Sequence, residues 1–293
     1  MTARPVLAAT LALLVFGCTP ALKPDPHYVL AKPYQVGRVW FYPREAYDLD
    51  QTGLASVMQG DAARLTTDGE VFDQTALAVA DPTIQLPAIA RITNLETGRE
   101  VTVRLNDLGS GDPHRLVQVT RRTATLLGMP SNGVARVRLQ VLPNESHAAA
   151  DALPGAPSLA LTAAPRGAVQ VAQLAPPPGV GQGGGRALPV APVADPAQAV
   201  AAPPPMRLPE TVAQTAPQPG QLMVELDTFE EYQYAAVQRA KMAAVGARIV
   251  SSVDGRTHRY RVEVGPLPDA AQADAVLNQA LASGIPDARI VVD

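Results

Sequence analysis

The sequence predicts a mainly β protein with an α+β second domain: a small closed barrel of six short strands, a linker without regular structure, and a βαββαβ sheet. Three observations predict this. Across residues 52–142, short apolar runs alternate with polar positions at period two, separated by turn residues. Across 143–220, Pro, Ala, Gly and Gln dominate with no sustained apolar period, the composition of a disordered, partly extended linker. Across 221–293, the periodicity returns in the order strand, helix, two strands, helix, strand.

The chain opens Met1-Thr2-Ala3-Arg4, then an apolar run from Val6 to Phe16, then Gly17-Cys18. A basic start, a short apolar core and a small residue before a cleavage point describe a secretory signal over residues 1–17. The run is too short to cross a bilayer as a mature helix. Cys18 is the single cysteine, so no disulfide can form within the chain and the fold rests on core packing. Val15-Phe16-Gly17-Cys18 resembles the lipobox of bacterial lipoproteins, with Phe16 an uncommon member, so Cys18 is the expected lipidation site. The length of 293 residues allows about two domains. The net charge of −3 argues against a nucleic-acid partner held through phosphates.

Residues 18–51 begin as a polar, proline-containing spacer. They continue into an aromatic preface with the only tryptophan, Trp40, and four of the seven tyrosines. Such a cluster reads as packing against the next domain. In the barrel, strands are expected at 54–57, 76–79, 88–94, 99–105, 115–120 and 136–142. Glu96-Thr97-Gly98 turns the third into the fourth. Thr120 caps and Gly128 stops a short helix at 121–127. Six short strands in about ninety residues suggest closure into a small barrel.

In the C-terminal domain, 222–226 is a strand, and Thr228 with Glu231 forms a capping box for a helix ended at Gly246. Residues 248–253 and 258–264 form a hairpin across Asp254-Gly255. Asp269 opens a second helix ended at Gly284, and 288–292 is the last strand. Both helices are expected on one face of the sheet.

Two carboxylates stand out. Asp107 follows the alternating run Val101, Val103, Leu105 and ends a strand at a Gly-containing loop. Glu70 follows the turn Asp68-Gly69. Such residues can equally be caps or solvated charges, and their types alone leave that open.

The words around them are more specific. Residues 52–142 resemble the rare lipoprotein A (RlpA) family. The matching words are Gly53-Leu54-Ala55-Ser56, the run from Thr66 to Asp73, the run from Ile92 to Arg99, Val103-Arg104-Leu105-Asn106-Asp107, and Leu126-Leu127-Gly128-Met129. Residues 32–42 look like the preface of a subset of that family. Residues 221–293 resemble the sporulation-related repeat (SPOR) domain, most clearly in the run from Tyr260 to Pro266. The resemblance implies a six-stranded double-psi β-barrel followed by a SPOR domain, in a periplasmic peptidoglycan protein. Active relatives are lytic transglycosylases, which cleave between N-acetylmuramic acid and N-acetylglucosamine, leave a 1,6-anhydro ring, and need no metal or cofactor. The family's functional Glu and Asp fall on Glu70 and Asp107. In a shared groove, mutual repulsion is expected to keep one of them protonated for donation. The SPOR resemblance implies binding to glycan strands stripped of stem peptides, at division septa, with Arg261 and Glu225 as contact candidates. Amidase or division-machinery partners follow from the same resemblance. Thr19 is not the acidic residue that retains lipoproteins at the inner membrane, so the periplasmic face of the outer membrane is expected.

Departures from the family pattern divide the reading. Asp81 stands where a His is usual and joins the candidate catalytic set. Val57-Met58 replaces two aromatics, Leu108 replaces an arginine beside Asp107, and Gln118 replaces an Asp. Glu225 replaces a Gln on the first SPOR strand. Two readings stay open: an endolytic transglycosylase, or a silent barrel that grips glycan and tethers membrane to wall. A groove filled by Met58 or Leu108 would favour the second.

Overall fold

The computed structural model describes residues 22–130, 133–157, 207–255 and 257–293. The expected signal segment, Cys18 and most of the expected linker lie outside the described residues.

The preface forms a hairpin of β1 (Tyr34–Val36) and β2 (Val39–Phe41), turning at Gly37. Its packing is divided. The Tyr34 and Phe41 rings stack at 5.4 Å, whereas Trp40 and Tyr42 stay exposed.

The barrel strands are β3 (Asp50–Val57), β4 (Ala78–Ala80), β5 (Ala88–Asn94), β6 (Arg99–Asp107), β7 (Val117–Val119) and β8 (Val134–Val141). They pair in the order β4-β7-β3-β8-β5-β6, and β4 pairs again with β6 to close the ring. The β3–β7 and β4–β6 ladders are parallel and the others antiparallel. This is the closed six-stranded barrel of the expected fold. Ile89, Ile92, Val103, Leu105 and Leu139 fill its core. Helix α1 (Arg121–Leu127) is capped as expected: Thr120 accepts from Thr123 N, and Gly128 is left-handed at φ 65°. Helix α1 follows β7 and buries Leu127 in the barrel core.

The linker is narrower than 143–220 at both ends. Pro143–Asp151 is a helix, α2, with proline in its first turn. Ser146 Oγ donates to Ile89 O and accepts from Ile89 N, each at 2.9 Å, which pins α2 to β5. At the other end β9 (Val212–Gln214) pairs with β6 along Arg99–Val101. Thr215 N then donates to Gly98 O, and Gln218 N to Leu95 O. Gly98 is required here, because a Cβ would lie 2.1 Å from Thr215 O.

The second domain runs β10 (Leu222–Phe229), α3 (Tyr232–Lys241), β11 (Arg248–Asp254), β12 (Thr257–Leu267), α4 (Ala270–Ala282) and β13 (Arg289–Val292). The antiparallel sheet order is β11-β12-β10-β13. Leu222, Val224, Leu226, Val262 and Val264 share one buried cluster with Ala235 of α3 and Leu277 of α4, so both helices lie on one face. The expected capping box is absent. Thr228 is paired with Arg261 inside the sheet, and the cap residue is Glu231, without a side-chain cap bond.

The two domains are docked. Arg115 forks onto Asp274 at 2.7 and 3.0 Å, and His114 Nε2 meets Asn278 Oδ1 at 3.0 Å. Thr52 Oγ1 donates to Val292 O and accepts from Val292 N. Leu54 and Leu95 of the barrel join the second domain's apolar cluster.

Candidate active site

The site forms where the turn Thr66–Glu70 meets the end of β6. Thr66 N donates to Glu70 O, and Gly69 N donates back to Thr66 O. Gly69 sits at φ 85°, where L side chains are strained, and a Cβ there would lie 2.1 Å from Asp25 O. The N-terminal arm crosses this turn: Asp25 N donates to Gly69 O and His27 N to Asp68 O. From the other side, Asp68 N donates to Asn106 O.

Asp107 is aimed by a bulge. Val79 pairs with Leu105 but Ala80 pairs with Asp107, so Asn106 is the extra residue in β6. Regular alternation would send Asn106 and Asp107 to opposite faces. Instead both reach the 66–70 turn. Asn106 Nδ2 donates to Glu70 Oε2 at 2.8 Å, while Asp107 Oδ1 accepts from Thr67 Oγ1 at 2.7 Å and from the Thr67 and Leu108 amides.

Each carboxylate has its own cation. Arg104 Nε donates to Glu70 Oε1 at 2.6 Å, with both side chains almost fully buried. Arg64 Nη2 lies 2.7 Å from Asp107 Oδ2, and its guanidinium stacks on the Phe72 ring at 4.1 Å. The positive neighbour that Leu108 removes is thus supplied by Arg64, from a different loop. The Glu70 charge also acts on a third carboxylate, Asp68. Asp68 is fully buried, accepts from Thr66 Oγ1 and Glu70 N on Oδ1, and leaves Oδ2 without a partner among the described residues. Burial first, and the Glu70 charge second, push the Asp68 carboxyl up to about 7.

Asp81 stands beside this pair without facing it. Its amide donates to Asp107 O, but its Oδ1 accepts from Thr83 N and Oγ1, both at 2.7 Å. The side chain is buried, which raises its pKa. Gln118 accepts from Ser110 N and Oγ, and so holds the loop after Asp107. Tyr34 covers the same region. Burial, with Asp81 and Asp107 nearby, pushes its hydroxyl up to about 12.

An open cavity of about 250 Å³ lies over Glu70, lined also by Met58, Phe72, Arg104 and Asn106. Asp107 is outside this lining. Met58 forms part of the wall and Leu108 packs on the barrel core, so neither fills the space. Arg261 and Glu225 lie far from this turn, on the open face of the second domain. Arg261 pairs with Glu263 at 3.1 Å and Glu225 with Arg289 at 3.2 Å.

Asp68 makes stability depend on pH. Its carboxyl holds a proton in the folded state that the unfolded chain releases near 3.8. The stability this group contributes is therefore fully present below that value and is lost as pH rises toward 7, about 4 kcal/mol for a difference of this size. Asp68→Asn is expected to flatten the fall. Urea midpoints at pH 5 and pH 8 should separate widely for wild type and little for the variant. Equal separations would mean that Asp68 is not the group responsible.

A closed six-stranded barrel bearing an acidic turn, followed by a four-stranded sheet backed by two helices, defines the class: a double-psi β-barrel protein with a SPOR-like domain. The sequence comparisons agree with a transglycosylase-family barrel. A family model described as "Lytic transglycolase" matches residues 50–139. The Pseudomonas aeruginosa protein named "Endolytic peptidoglycan transglycosylase RlpA" is 30% identical over 262 residues, covering 86% of this chain and 74% of that one. The proteins of the same name from Rickettsia felis and Escherichia coli K12 are 27% and 40% identical over 124 and 88 residues. Those alignments take in 41% and 30% of this chain, and span 54% and 24% of those relatives. The crystal structure of the RlpA SPOR domain from Pseudomonas aeruginosa aligns with 25% of this chain and 99% of that one, at 20% identity and a TM-score of 0.24. The chain belongs to the RlpA family.

Proposed function

We propose that this protein is an endolytic peptidoglycan lytic transglycosylase acting on glycan stripped of stem peptides. The observation that carries the reading is the unfilled cavity over Glu70, with Asp107 anchored to the same turn, in a family whose relatives are named for that activity. Asp107 is the general acid and base. Its Oδ2 is held by Arg64, which is 44% exposed and can swing away when a strand enters. In its protonated form Asp107 gives a proton to the glycosidic oxygen as the bond to muramic acid C1 breaks. The muramic acid's C6 hydroxyl oxygen then bonds to C1 and its proton returns to Asp107. No water is consumed. Glu70, bonded to Arg104 and Asn106, offsets positive charge as it develops on the sugar ring. Asp81 acts by holding the loop beside Asp107.

The test is product analysis after incubation with intact and with amidase-stripped sacculi. Anhydro-ended glycan released from stripped sacculi is expected. Its absence, in the presence of folded protein, would defeat the reading.

Cys18 is the proposed lipid anchor, which places the barrel at the periplasmic face of the outer membrane. The arm from Leu22 to Tyr28, which crosses the catalytic turn, begins four residues after the proposed anchor. Labelled palmitate is expected to enter wild type and not Cys18→Ala; equal labelling would remove the anchor. A strand stripped of peptides presupposes an amidase acting before this enzyme.

A further inference from the structure

A cavity of about 510 Å³ lies between the domains, away from Glu70. That volume falls within the range of small-ligand sites. One wall is Trp40 and Tyr42 from the preface hairpin. The other is the helix-free face of the second domain's sheet, with Glu225, Arg261 and Arg289. Trp40 and Tyr42 are 49% and 61% exposed, and their rings lie nearly parallel at 6.4 Å, 27° between planes. Two residues apart on an extended segment, they face the same way. Tyr34, Val36 and Phe41 point the other way, with Val36 and Phe41 against Gly111 in the loop after Asp107.

The facing wall is polar but close to neutral, because each arginine has a carboxylate beside it: Arg289 with Glu225, Arg261 with Glu263 and Asp293. A flat apolar platform opposite paired donors and acceptors matches a pyranose ring. The ring's C–H faces stack on aromatics, and its hydroxyl and acetamido groups need both donors and acceptors at the edge. We propose that the cleft is a composite glycan subsite, in which the preface hairpin stacks sugars that the SPOR-like sheet grips by hydrogen bonds. This inference rests on the proposed action on stem-peptide-free glycan. The new part is the wall contributed by Trp40 and Tyr42. Because the domains are docked through Arg115, His114 and Thr52, a strand held there keeps a fixed orientation to the catalytic turn.

Trp40 is the only tryptophan, so tryptophan emission, excited beyond the tyrosine band, reports on this wall alone. The full chain is titrated with soluble, stem-peptide-free glycan chains while Trp40 emission and acrylamide quenching are followed. Pull-down on amidase-treated sacculi is measured in parallel for wild type, Trp40→Ala/Tyr42→Ala and Trp40→Phe. The expected result is a blue shift with reduced quenching for wild type, at least tenfold weaker pull-down for the double variant, and near-normal pull-down for Trp40→Phe. Circular dichroism should show the double variant folded, since both rings are exposed. Wild type that binds sacculi while Trp40 emission stays unchanged, or a double variant that binds as wild type does, would overturn the composite site and leave the proposed function standing. Wild type that binds no stripped glycan at all would remove both.

Discussion

Asp107→Asn and Glu70→Gln are each expected to reduce release of anhydro-ended glycan by about 10²–10⁴-fold, the usual contribution of a positioned proton-transfer or charge-stabilising group. The two losses differ in kind. Asp107→Asn keeps the contacts with Thr67 and Leu108, since its amide oxygen can still accept, and Arg64 can turn to solvent. Little stability should be lost, and the rate loss reports chemistry. Glu70→Gln leaves the Arg104 guanidinium buried without its counter-charge. That variant should lose stability as well as rate. Rates and urea midpoints measured together separate these effects. Unchanged release by Asp107→Asn would show that another group moves the proton.

The largest expected stability change is at Arg104. Arg104→Met removes the cation bonded to Glu70 and leaves a buried carboxylate next to Asp68, the neighbour that already suffers from its charge. Removing one partner of a buried pair costs about 3–5 kcal/mol. The double variant Arg104→Met/Glu70→Gln should recover a large part, because the orphaned charge goes with its partner. The cycle can be read from urea unfolding of the four proteins. Additive losses would mean that the pair is not coupled and that Arg104 matters only through packing.

Much of the fold was legible because its signals are local. The 88–94 strand and the 121–127 helix match to the residue: the Glu96-Thr97-Gly98 turn ends the first, and Thr120 and Gly128 bound the second. What was missed depends on distant partners. Helix α2 looks like linker because its apolar residues are alanines, and Ser146 earns its place only by meeting Ile89. Strand β9 exists because β6 offers it an edge. Thr228 reads as a cap until β12 draws it into the sheet.

The site divides the same way. Glu70 and Asp107 were legible from their words. Arg104 sits at a position that alternation assigns to solvent, and is buried because the 66–70 turn covers that face. A charge between Val103 and Leu105 was the available signal. Arg64 carried none, since only the folded loop brings it to Asp107. The consequence is chemical: judged from sequence, the surroundings of the pair turn negative, whereas each carboxylate is in fact met by an arginine.

The central claim is that the Glu70–Asp107 turn breaks a glycosidic bond by internal attack rather than by hydrolysis. It is tested most directly by incubating stripped glycan with the protein in water labelled with heavy oxygen, then weighing the new muramic acid ends by mass spectrometry. The expected ends are one water lighter than hydrolytic ends, free of label, and absent with Asp107→Asn. New ends that carry the label would contradict it.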